Sequence, residues 1–123
     1  WYLWGKVLYT QKKFPQAVMP FKKAIEALRL KSEAYNELSY TYLAMGDTQS
    51  AINYILLGIH HNQKSGLLHA TAAEHYWSVG DEASSYKFLA RAQELGFSLE
   101  RYGKSEPYKS FLSGNRRFKN YTE

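Results

Sequence analysis

Residues 35–59 read YNELSYTYLAMGDTQSAINYILLGI, and this stretch decides the fold. Tyr35, Leu38, Tyr42 and Met45 recur at steps of three, four and three, the spacing that gathers side chains on one buried face of an α-helix. Gly46-Asp47 then ends the pattern. Glycine takes up the left-handed conformation that closes a helix, and aspartate offers a turn or cap acceptor to the segment that follows. Beyond the break, Ala51, Ile52, Ile55 and Ile59 line one side of a second helix. Two amphipathic helices joined by so short a turn make a helical hairpin.

The hairpin recurs along the chain. Gly46-Asp47 and Gly80-Asp81 lie 34 residues apart, and the same offset aligns Ala17, Ala51 and Ser85, then Phe21, Ile55 and Leu89, then Ala24, Gly58 and Ala92. It also aligns Gly5, Ser39 and Ala73. Small residues at fixed places let helix backbones approach, and the large apolar residues between them fill the space between layers. The third unit carries Leu68, Ala72, Tyr76 and Val79 before its break and Phe88, Leu89 and Ala92 after it. The first has Trp1, Trp4 and Leu8, a break at Lys12-Lys13, and then Ala17, Phe21, Ala24, Ile25 and Leu28. The pattern predicts six helices of about 11 to 15 residues each. Pro20 falls inside the second of them, where it removes a backbone donor and crowds the preceding turn, so a kink or a late helix start is expected.

These units resemble tetratricopeptide repeats, whose pattern is W-x2-L-G-x2-Y, then A-x3-F, then A and P. The first unit reads Trp1-x2-Trp4-Gly5-x2-Leu8 with Ala17-x3-Phe21 and Ala24. The second offers Leu38-Ser39-x2-Tyr42, Gly46-Asp47 and Ala51-x3-Ile55, and the third keeps Tyr76, Gly80-Asp81 and Ala92. The closing proline is missing from all three. The resemblance implies an all-α solenoid of three tetratricopeptide-like hairpins, at about 1–31, 32–65 and 66–97. Residues 98–123 break the period and read as short capping helices, with Leu99-Glu100-Arg101-Tyr102, Ser105-Glu106-Pro107-Tyr108, Phe111-Leu112 and Asn115-Arg116-Arg117-Phe118. Together with Gly96-Phe97 they are similar to the ending of many bacterial arrays of this family, G-F, then D-P-x-F, then L-x-x-D-P-R-F. A solenoid needs such an end, because its last helix pair otherwise turns an apolar side to water.

Composition narrows the chemistry. The chain has 123 residues, one domain's worth, with 45% hydrophobic and 22% charged residues, a globular balance rather than a disordered one. No apolar run approaches the roughly 20 residues of a spanning helix. The absence of cysteine excludes disulfides, Cys-ligated metals and cysteine nucleophiles, and leaves both cytoplasm and periplasm open. The opening Trp1-Tyr2-Leu3-Trp4 carries neither an initiator Met nor a signal-peptide pattern, so the sequence is expected to be part of a longer chain. His60 and His61 are adjacent and His69 and His75 six apart, so neither pair faces one way on a helix and no metal site is expected. The first pair is expected at a helix end before Asn62, the second as partly buried rings. There is no Gly-rich phosphate loop, zinc-protease spacing or nucleophile elbow, hence no expected catalytic residue and no cofactor. The net charge is +5, but the basic residues form no single stripe, and ten of the sixteen fall in two separate groups. Lys12, Lys13, Lys22 and Lys23 form one; Arg101, Lys104, Lys109, Arg116, Arg117 and Lys119 form the other. Without a focused stripe, neither nucleic acid nor membrane is expected as a partner.

In tetratricopeptide proteins the first helix of each hairpin lines a concave groove. Carried over, that groove comprises Tyr2, Lys6 and Tyr9, then Glu33, Asn36, Glu37 and Tyr40, then Thr71, Glu74 and Trp77. Polar helix faces are ordinarily just solvated, whereas Tyr and Trp on such a face are the residues that anchor interfaces. Family members that hold the acidic C-termini of heat-shock chaperones use a clamp of Lys and Asn, and the matching places here are Tyr2, Lys6, Glu37, Leu67 and Thr71. Lys6 is the one cation among them and Glu37 repels a carboxylate, so that co-chaperone role is not expected. The expected function is a protein-binding module without catalysis, holding an extended or helical segment of another protein or of its parent chain. Two alternatives accompany it: a secretion-type chaperone for hydrophobic translocator segments, and the accessory domain of an enzyme whose catalytic part lies upstream.

Overall fold

A recurring local chemistry at the ends of four helices fixes where the hairpins turn. The computed structural model describes residues 1–27, 32–102 and 108–113. Among them are eight helices and no strand: α1 (Tyr2–Thr10), α2 (Phe14–Ala27), α3 (Ser32–Ala44), α4 (Thr48–His61), α5 (Gly66–Ser78), α6 (Glu82–Glu94), α7 (Leu99–Tyr102) and α8 (Tyr108–Ser113). Gly46, Gly80 and Gly96 stop α3, α5 and α6 with φ of 80°, 82° and 95°. At the first of these, Gly46 N–H donates to the Leu43 carbonyl and Asp47 N–H to the Tyr42 carbonyl, both at 2.9 Å, the paired closure that satisfies a helix's last acceptors. Lys12, 34 residues before Gly46, makes the same closure with φ of 60°, its N–H on Tyr9 and that of Lys13 on Leu8. Two of the helices that follow, α4 and α6, start on side-chain caps: Asp47 accepts from Ser50 N–H and Asp81 from Ser84 N–H, each at 3.1 Å. The Ser50 and Ser84 side chains, and then these backbone bonds, hold the two carboxyls below their ordinary value.

The helices pack in chain order as hairpins α1·α2, α3·α4 and α5·α6, with α2 against α3 and α4 against α5. Contacts of α1 with α3 and of α3 with α5 define an inner layer. The all-α solenoid of helical hairpins expected from the period is what the structure has. Its small-residue columns are places of close approach: a Cβ on Gly5 would lie 2.7 Å from the Phe21 ring, and one on Gly58 2.8 Å from Tyr35 Cβ. Aromatic stacks follow the same 34-residue period. Tyr42 lies on Tyr54 at 5.4 Å and 8°, and Tyr76 on Phe88 at 5.4 Å and 9°. In the first hairpin those two places hold Leu8 and Pro20, both buried.

Several expectations need correction. Trp1, Leu3, Trp4 and Val7 are 63%, 75%, 56% and 46% exposed, so the expected burial of Trp1 and Trp4 does not occur. The corresponding Tyr35 and Leu38 of α3 are buried, with Leu38 in the cluster of Leu8, Ala17 and Phe21, whereas no described helix covers Trp1 and Trp4 on the same face of α1. Met45 and Val79, equivalent residues at their helix ends, are also exposed. The first helix is nine residues, shorter than expected, and the second starts at Phe14 rather than late, with Pro20 inside it. The acceptor that loses its amide partner belongs to Gln16, an exposed residue, while the proline ring occupies a buried place.

At the far end, Phe97, Leu99, Phe111 and Leu112 join Ala70, Ala73, Leu89 and Ala92 in one buried cluster, and α8 packs on α5. Leu28, Lys104, Ser105, Glu106, Pro107, Asn115, Arg116, Arg117, Phe118 and Lys119, named in the sequence reading, lie outside the described residues.

Candidate functional site

The inner layer is built by polar side chains that reach from one repeat to the next. Tyr40 Oη donates to Glu74 Oε2 at 2.7 Å, linking positions 34 apart on α3 and α5. Thr71 Oγ1 donates to Asn36 Oδ1 at 2.5 Å. Beneath them, Ser39 Oγ donates to the Asn36 carbonyl at 2.8 Å, so its lone pair is left for the proton on His75 Nε2, 3.0 Å away. The Tyr40 ring meets the His75 ring edge to face at 5.1 Å. Burial drives His75 down from 6.5 to about 4 and keeps it neutral, and its Nδ1 makes no hydrogen bond to a described residue. A hydroxyl, an amide and an imidazole thus fix the Tyr40 ring relative to α5.

On the α1 side, Tyr2 packs toward Phe21 with ring centroids 6.1 Å apart, and the Lys6 ammonium lies 5.6 Å above the Tyr2 ring. Tyr9, one helical face along, meets Phe14 edge to face at 5.1 Å. Electrostatics shows how closely α1 and α3 converge. Burial, and then the charges of Glu37 and Glu33, push the Tyr2 hydroxyl up to about 12. Tyr9 is raised by burial and then by Glu37 and Glu74. Glu37 itself is raised by burial, against the pull of Lys6. Tyr2, Lys6, Tyr9, Glu33, Glu37, Tyr40 and Glu74 therefore share one neighbourhood formed by three helices.

Three groove residues stand differently from the sequence expectation. Thr71 is fully buried between α3 and α5, so it supports the surface rather than presenting to it. Asn36, half-buried, spends its amide oxygen on Thr71. Trp77 is half-buried and meets Phe111 of α8 at 5.9 Å and 71°, so part of its ring belongs to the C-terminal core. Sequence reasoning missed the Ser39–His75 pair under Tyr40, although a polar residue in the column Gly5, Ser39, Ala73 was its signal.

Of the histidines expected to be partly buried, His75 is fully buried and His69 is buried at 6% exposure, because both face the packed sides of α5. His60 and His61 sit in the last turn of α4 before Asn62, and His61 stacks on Tyr35 at 6.0 Å. Among the described residues there is no group of three metal-ligating side chains, and no helix is long and apolar enough to cross a membrane.

The architecture is similar to that of solved secretion chaperones. The Yersinia enterocolitica type III secretion translocator chaperone SycD matches 97% of this chain and 81% of its own, with a TM-score of 0.74 and 23% identity. SycD in complex with a peptide of the translocator YopD matches 98% and 86%, with a TM-score of 0.72 and again 23% identity. PcrH in complex with the chaperone binding region of PopD matches 98% and 87%, with a TM-score of 0.70 and 15% identity. No family model matches the sequence, and no curated protein does. At such identities the likeness is one of fold.

Proposed function

We propose that this chain is a chaperone-like holding module that binds an extended segment of a partner protein along the inner faces of α1, α3 and α5. The observation that carries the reading is the pre-set aromatic surface there: Tyr2, Tyr9 and Tyr40 are each half-exposed and each braced from behind or beside, Tyr40 by Glu74 and His75. Rings already held in place lose little freedom on binding, which is what makes an interface residue effective. The matched chaperones support the same reading, since two of those structures hold a segment of another protein, from YopD and from PopD. They favour the secretion-type chaperone over a general scaffold, and over an enzyme's accessory domain, because the matched proteins are chaperones and not enzymes.

The test uses a partner recovered by affinity capture and narrowed to a segment with tiled synthetic peptides. Tyr40→Ala should weaken that peptide by about 1 to 3 kcal/mol in calorimetry. Lys23→Ala, which removes an exposed ion pair with Glu26 on α2, should change it little. Thermal melts control for folding. Equal losses in both variants, or none in Tyr40→Ala, place the binding surface elsewhere.

A further inference from the structure

The whole chain carries a net charge of +5, yet among the described residues the proposed groove sets three carboxylates, Glu33, Glu37 and Glu74, against the ammonium of Lys6. The three are not equivalent. Glu33 is exposed to water, and Glu74 accepts the Tyr40 hydroxyl at 2.7 Å. Glu37 is half-buried, and its carboxylate makes no hydrogen bond or ion pair with any described residue. The Lys6 ammonium lies over the Tyr2 ring rather than within bonding distance of Glu37. A carboxylate taken partly out of water without a partner is held at a cost that an incoming cation removes.

We infer that the segment bound in the groove presents a lysine or arginine side chain to Glu37, beside Tyr2 and Tyr9. This rests on the groove reading above and specifies its ligand. Charge complementarity selects the class: an acidic side chain here meets three like charges, and an apolar one leaves the carboxylate desolvated and still unpaired. The flanking tyrosines suit a cation as well, because its charge is attracted by ring faces while its stem covers apolar surface. Lys6 over Tyr2 at 5.6 Å is the same contact made within the chain. The expected ligand is therefore an extended segment with one basic residue at a fixed place.

A phage-displayed library of random dodecapeptides, panned on the immobilised chain, supplies the probe, and the leading peptide is labelled for fluorescence anisotropy. The inference expects Lys or Arg at one fixed place in the enriched sequences, and about tenfold weaker binding when that residue becomes norleucine. On Glu37→Gln the basic and norleucine peptides should bind alike, and Lys6→Ala should tighten the basic peptide by removing a competing cation. The norleucine comparison on the unaltered chain decides the matter even if Glu37→Gln melts early. Enriched peptides that lose affinity on Tyr40→Ala but carry no basic residue overturn the inference and leave the groove reading standing. So does a basic residue that matters as much on a well-folded Glu37→Gln as on the unaltered chain. Peptides indifferent to both Tyr40→Ala and Glu37→Gln, or no enrichment at all, overturn both.

Discussion

Lys12 is the one non-glycine with positive φ among the described residues, and it stands where the other two hairpins use Gly46 and Gly80. A left-handed conformation costs a residue with a Cβ on the order of 1 kcal/mol. The backbone closure is otherwise the same, since Lys12 and Lys13 make the same pair of closing bonds, although Lys13 stands where the other turns carry the capping Asp47 and Asp81. Lys12→Gly should therefore raise stability by about 1 kcal/mol in urea denaturation, despite glycine's greater freedom when unfolded. An unchanged or lower midpoint would mean that the Lys12 side chain stabilises the turn in some other way. His75 makes the opposite kind of demand. Its folded value of about 4 lies below the ordinary 6.5, so the unfolded chain takes up the proton first. Stability should be level above pH 6.5 and fall as pH drops toward 4, by on the order of 3 kcal/mol across that window. Tyr40 and Ser39, which face the ring from α3, carry no charge in that range. His75→Gln should flatten the slope between pH 6.5 and 4; a slope left intact would assign it to other groups.

At the scale of elements, the helices were legible because a 3.6-residue period and a 34-residue offset both speak about local chain geometry. Burial was not legible to the same degree, because it depends on what lies opposite. Trp1 and Trp4 repeat the pattern of Tyr35 and Leu38, yet only the α3 residues have α2 to cover them. Thr71 reads as a groove residue on polarity alone, and its burial follows from Asn36, a partner 35 residues away. Trp77 marks the border of the two cases, since its half-buried ring meets Phe111 of α8. That contact makes the C-terminal segment part of the core. Truncation after Phe97 removes Leu99, Phe111 and Leu112 from a buried cluster that includes Ala70, Ala73 and Leu89. The truncated chain should melt at a lower temperature and aggregate more readily. Phe111→Ala alone should cost about 3 to 5 kcal/mol. Unchanged melting and solubility would show that this segment does not act as a cap.

At the scale of the whole molecule, a stack of hairpins is held by neighbours along one direction, so local stability is set by how many neighbours a unit has. The two ends differ. The last hairpin is covered by α8 and the residues before it, whereas α1 shows Trp1, Leu3, Trp4 and Val7 to solvent and packs mainly on α2. Cooperativity should accordingly have a direction. Amide hydrogen exchange should be fastest in α1, slower in α3 and slowest in α5, the helix that α3, α4, α6 and α8 all touch. Uniform protection across the three would show a single cooperative block instead. The proposed groove draws one wall from the loosest helix and one from the tightest, so a ligand that spans both staples the fraying end to the anchored one. Occupancy would then be readable far from the ligand itself, as slowed exchange at Gly5 and Leu8 on the side of α1 that faces α2.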